Sequence, residues 1–186
     1  MADQVQLIEV VNILGSLARS AHLKRVLSAL DPDPALNFWR VMHGNLLDIT
    51  VLDWCKLFGS DHEEHQKTHW KNVVTNQEAF RAGLLQDLGV DMKAWETYWL
   101  EMKNYRDQHV AHRDFAKSDV THFPKLDLAL QSSAVYYRYV ISELRKLGVT
   151  RYPDDLRAYG EAFADQARTI AGKALEATLA IKERVY

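Results

Sequence analysis

Apolar residues in this chain recur every three or four positions over long stretches, and no segment shows sustained alternation with period two. That periodicity is the strongest constraint on the fold, because a stripe at helical spacing can be buried only by packing helix against helix. In the first such stretch, 4–30, Leu7, Val11, Leu14, Ala18 and Ala21 form the seam, and Ile8, Val10 and Leu17 widen it. Asp31-Pro-Asp-Pro34 then breaks the chain, since proline lacks a donor and disfavours helix at the residue before it.

Five further stretches follow. Asp33 is placed to cap a helix over about 34–58 with Pro34 in its first turn, and Gly59 to stop it. Leu36, Phe38, Trp39, Val41, Met42, Leu46, Leu47, Ile49 and Leu52 make that helix apolar on more than one face, as in the centre of a bundle. Residues 60–74 read as a polar, histidine-rich loop or short helix. Thr75-Asn-Gln-Glu78 has capping-box spacing and opens a short helix ending near Gly89. Asp91 caps a long helix over about 92–113, and 114–123 reads as a loop. A fifth helix covers about 124–147, with Leu126, Leu130, Tyr137, Val140, Leu144 and Leu147 on its seam and Gly148 as its stop. The last starts at Tyr152-Pro153-Asp-Asp155 and runs to about 183, with two acids in its first turn. Its expected face is Leu156, Phe163, Ala167, Ile170, Ala174 and Ile181. The whole reads as one all-α domain over 1–186, an up-and-down antiparallel helical bundle with flanking helices.

The formal net charge of −2 and pI of about 6.4 do not fit a protein that coats nucleic acid non-specifically, which needs many Lys and Arg contacts to phosphates. A small local cationic site is still compatible with them. One cysteine, Cys55 in an apolar run, excludes an intramolecular disulfide and a cysteine-rich zinc site. With no signal-peptide pattern at Met-Ala-Asp-Gln-Val-Gln and no apolar run long enough to span a bilayer, a soluble cytoplasmic protein without membrane partners is expected.

The stretch that carries chemistry lies late in the long helix. Its apolar seam runs Met92, Trp95, Trp99, Met102, and the same spacing then meets Arg106, His109 and Arg113. A cationic turn on a buried stripe means either that the helix leaves the core or that it carries a polar site into a cleft. Arg106, Asp107 and His112 supply the groups that cleavage of RNA through its own 2′-hydroxyl requires. Histidine suits the acid and base roles, the guanidinium fork suits phosphate, and Asp107 can orient a histidine. Arg and His near a helix C-terminus also simply complement the macrodipole. Six positions apart, Arg106 and His112 lie about 120° apart on a straight helix. Cooperation therefore requires a loosened last turn or a second copy of the helix.

Arg106-Asp107-Gln-His-Val-Ala111-His112-Arg113-Asp114 resembles the signature of the HEPN superfamily, an Arg, four to six residues, then a His, as found in abortive-infection phage-defence proteins. The resemblance implies a helical bundle that dimerises with the motif helices facing each other. It also implies metal-independent endoribonuclease activity leaving a 2′,3′-cyclic phosphate, with Arg106 and His112 as the catalytic pair and Asp107 beside the Arg. Arg113 and His109 are then candidate RNA-binding groups, although His109 is not a defined family position and reads first as a satisfied core histidine. RNA, a second copy of the chain and an antitoxin are the implied partners, and no cofactor is implied. Many HEPN domains bind RNA or a partner without cleaving, so a non-catalytic interaction module is the alternative.

Two other features have plainer readings. His65 and His69, four apart with His62 nearby, have the spacing of metal ligands on one helix face, but His65-Gln-Lys-Thr-His69 lacks the Glu of the metalloprotease pattern, and a solvated connector is expected. Trp39, Trp54, Trp70, Trp95, Trp99 and Tyr136-Tyr137-Arg138-Tyr139 are expected mainly in the core, with Arg138, Arg145 and Lys146 offering a cationic flank.

Overall fold

The computed structural model describes residues 2–60, 67–111 and 123–183, and these contain α1 (Gln4–Leu30), α2 (Asn37–Phe58), α3 (Trp70–Val73), α4 (Gln77–Leu88), α5 (Met92–Tyr105), α6 (Asp127–Lys146) and α7 (Leu156–Thr178), with no strand among them. The fold is an all-α bundle. Helix α1 packs against α2, α6 and α7; α2 packs against α5, and α4 and α7 pack on α6. The expected seam of α1 is buried throughout, and Asp3 caps the helix by accepting from Gln6 N–H at 2.8 Å.

At the centre, the fully buried Trp54 of α2 contacts Phe58, Trp95 and Tyr98, with ring centroids 5.4–5.8 Å away. Its Nε1–H donates to Ser132 Oγ of α6 at 3.0 Å, and the Ser132 hydroxyl donates to Ala129 O. The polar edge of the indole thus selects one partner helix inside an apolar core. A smaller cluster joins Val26 and Leu27 to Trp39, Leu46, Ala164 and Ala171.

Several helix ends differ from expectation. Helix α2 starts at Asn37 rather than 34, and Asp33 does not cap it. The Glu183 carboxylate does so from the far end of the chain, accepting from Asn37 N–H at 2.7 Å and Phe38 N–H at 3.1 Å. The cap of α4 is Asn76, one residue after the expected Thr75, whose N–H instead donates to the Tyr139 hydroxyl. Asp154 and Asp155 lie before α7 rather than in its first turn: Asp155 is the cap, and Asp154 pairs with Arg145 at 2.6 Å. Asp91 caps α5 as expected, accepting from Ala94 N–H at 2.7 Å. Gly59 ends α2 as expected, and only glycine fits there, since a Cβ would collide with the Cys55 carbonyl oxygen.

The buried face of α7 is also rotated from the expected one. Leu156, Gly160, Ala164, Ala167 and Ala171 face inward, while Ile170 is 69% exposed and Ile181 53%. Close approach decides this. A Cβ on Gly160 would stand 2.5 Å from the His22 ring of α1, so only the small-residue face of α7 can seat there. Helix α2 is central only over its second half, because Phe38 and Val41 are 60% and 57% exposed.

Candidate functional site

The core seam of α5 is Trp95, Tyr98, Met102 and Tyr105, all buried, rather than one running through Met92 and Trp99. Met92 is exposed and Trp99 half-buried. Tyr105 fixes the end of the seam: its hydroxyl donates to Asp48 Oδ1 of α2 at 2.8 Å, and burial and that carboxylate both push its pKa up, keeping it a donor. The residue that continues this seam is His109, whose ring packs on Tyr105 at 5.3 Å. Arg106 therefore lies one position off the stripe and does not interrupt it.

At Arg106 the helix changes type. Residues Arg106–Ala111 form a π-helix that packs against α2. Its bonds run from residue i to i+5, which widens the turn, and such turns are rare and frequently found at functional sites. His112 and Arg113 lie outside the described residues.

Arg106 is held by its neighbour. Nε donates to Asp107 Oδ1 at 2.7 Å and Nη2 lies 2.6 Å from the same oxygen, with the two side chains 20% and 43% exposed. The structure thus brings together Arg106, Asp107 and His109 on one widened turn. Beneath it sits Cys55, 1% exposed, its Sγ 3.9 Å from Met102 O. Burial pushes that thiol up to about 12, outweighing the nearby Arg106 guanidinium, so the thiolate is not populated.

The other sequence candidates resolve differently. His69 is 1% exposed, and its Nδ1 accepts from Lys71 N–H at 3.3 Å to cap α3. Its Nε2 is then the protonated nitrogen and donates to Gly59 O at 3.2 Å. Both nitrogens are used structurally, while His62 and His65 lie outside the described residues. No group of three or more metal-ligating side chains occurs among those described. Trp39, Trp54, Trp70 and Trp95 are buried in the core, as are Tyr136 and Tyr137. The expected cationic flank is neutralised by pairs: Arg138 with Asp87 at 2.9 Å, Arg145 with Asp154, and Lys146 with Glu143 at 2.6 Å.

A cavity of about 560 Å³ opens beside α5, with Trp99, Leu100, Lys103, Trp70 and Arg81 among its walls. Arg106 and Asp107 are not among its lining residues. A second, of about 700 Å³, lies where α1, α2 and the entry to α6 meet and is lined by Lys24, Arg40 and His43. Sequence spacing alone does not bring these three together, because Lys24 belongs to a different helix and only the Arg40–His43 spacing of three places two of them near each other. No helix among the described residues is long and apolar enough to cross a membrane. Comparison of the chain with protein-family models, with curated proteins and with solved structures gives no match.

Proposed function

We propose that this chain is a HEPN-like cytoplasmic protein that cleaves RNA without a metal or binds it, acting as a homodimer in phage defence or with an antitoxin. The observation that carries the reading is the π-helical turn beginning at Arg106, the first residue of the motif. In this reading Arg106 binds the scissile phosphate and His112 serves as acid or base. Asp107 holds the guanidinium flat against one carboxylate oxygen, which leaves its remaining N–H groups for phosphate oxygens. His109 and Arg113 contact the RNA beside them. Completion of the site by a second copy of the turn is part of the proposal.

The test is incubation of purified protein with several RNA classes in EDTA, with analysis of the product ends. Cleavage that survives chelation, leaves 2′,3′-cyclic phosphates and falls by about 10²-fold or more in Arg106→Ala and in His112→Ala is the expected result. Absence of cleavage in every RNA class, or cleavage indifferent to both substitutions, sinks the nuclease reading.

A non-catalytic interaction module is the second reading, and one surface favours it. Phe38 is 60% exposed, and Leu179 and Ile181 are 82% and 53% exposed, on two segments that Glu183 ties together. Under that reading Phe38→Ser and Leu179→Ser abolish partner capture, while Arg106→Ala leaves it intact.

A further inference from the structure

The 700 Å³ cavity is bounded by α1, by the Asp31–Pro34 break, by the first half of α2 and by the segment entering α6. Its lining carries Lys24, Arg25, Arg40 and His43 against one carboxylate, Asp33. Arg25 is satisfied by Asp127 at 2.7 Å. Lys24 and Arg40 have no carboxylate partner among the described residues. Lys24 Nζ donates to Ser28 Oγ at 3.2 Å and to His43 Nδ1 at 3.1 Å. An ammonium has only hydrogens to offer, so Nδ1 is the acceptor, the His43 ring is neutral, and its proton sits on Nε2. One ammonium hydrogen is left over. Arg40 donates Nε–H to Pro34 O at 2.8 Å, and its terminal amino groups have no protein acceptor among the described residues. Two cations on one cavity wall, each with donors to spare, present the geometry of an anion site.

The remaining wall is apolar: Leu47, Pro34, Pro124, Leu126 and the ring of Phe123, which is 59% exposed. A bare inorganic ion would leave that wall uncovered, while the volume falls in the range of about 300–1,000 Å³ usual for small-molecule sites. We propose that this cavity binds a phosphate carried on an organic body of nucleotide size, with Lys24 and Arg40 holding the phosphate and Phe123 flanking the body. Burial lowers the pKa of Lys24, and burial with the adjoining Lys24 lowers that of His43. A bound anion offsets the cost of holding the Lys24 ammonium there.

The same chemistry arrives from a free nucleotide or from the terminal nucleotide of an RNA strand. The second source is close at hand geometrically, since the Phe123 ring lies 6.2 Å from Tyr105, which contacts His109 of the π-turn. The site itself does not rest on the reading of that turn.

The experiment is calorimetric titration of the full chain at low salt with ADP, with a 5′-phosphorylated RNA tetranucleotide and with pyrophosphate. Lys24→Gln and Arg40→Gln remove the two positive charges. Gly44→Leu narrows the cavity without touching charge, and a Cβ at this lining position meets nothing within 4 Å. Saturable binding of ADP or the tetranucleotide, weakened tenfold or more by each substitution, is expected. ADP alone binding assigns a free nucleotide; tighter binding of the tetranucleotide assigns a strand end. Absence of saturable binding by either, equal binding of pyrophosphate, or binding unchanged in Gly44→Leu overturns the proposal. Circular dichroism of each variant separates a lost site from a lost fold.

Discussion

The hydrogen bond between Trp54 and Ser132 offers a quantitative test of how the core specifies its packing. Trp54→Phe removes roughly 40 Å² of buried apolar surface, about 1 kcal/mol at 25 cal/mol/Å². The void left behind, roughly 40 Å³ if nothing collapses into it, adds up to about 1 kcal/mol. Loss of the hydrogen bond to Ser132 contributes about 1 kcal/mol more. The expected destabilisation is therefore about 2–3 kcal/mol. Ser132→Ala acts differently. It removes little volume but strands the indole N–H in a fully buried site, costing about 1–3 kcal/mol. With Phe at 54 there is no indole to strand, and the Ser132 hydroxyl bonds only to Ala129 O, so the same substitution becomes close to neutral. A double-mutant cycle by urea unfolding, at equal denaturant slopes, should return a coupling of about 1–3 kcal/mol. Coupling within about 0.5 kcal/mol of zero would refute the claim that this bond holds α6 against α2.

Two other outcomes follow from the structure. Glu183→Gln or a deletion of residues 183–186 removes the charged cap of α2, so unfolding midpoints should fall by an amount corresponding to about 0.5–2 kcal/mol, whereas Asp33→Asn should have little effect. Stability should also fall on acidification through the histidine range. Burial depresses His22 and His43 below 6.5 in the folded state, so the unfolded chain binds protons first. Their contribution is complete above the unfolded value and is lost as pH falls from there through the folded values. Urea midpoints at pH 7.5 and 5.5 check this, and His22→Gln with His43→Gln should flatten the slope.

Helix positions and the buried seam of α1 were legible in the amino-acid order, because seam spacing, the Asp31–Pro34 break, the Asp91 cap and the Gly89 and Gly148 stops act within a few residues of chain. That Arg106, Asp107 and His109 share one turn was legible for the same reason, since they are neighbours in sequence. Features that join distant segments were not. The cap of α2 comes from Glu183, 146 residues away, and α7 turns its alanines rather than Ile170 inward because α1 leaves no room beside His22. The seam of α5 passes through Tyr98 and Tyr105 rather than Trp99, and their hydroxyls reach Lys125 O and Asp48, acceptors on other segments.

By itself, then, the sequence determined the helices, their breaks and the all-α class, all set by backbone propensity and periodic burial. Tertiary structure alone decided which face each helix buries, where α5 gives way to a π-turn, and that Lys24 and Arg40 share a cavity. Those outcomes depend on close packing and on long-range donor–acceptor matching, and neither is written in local spacing.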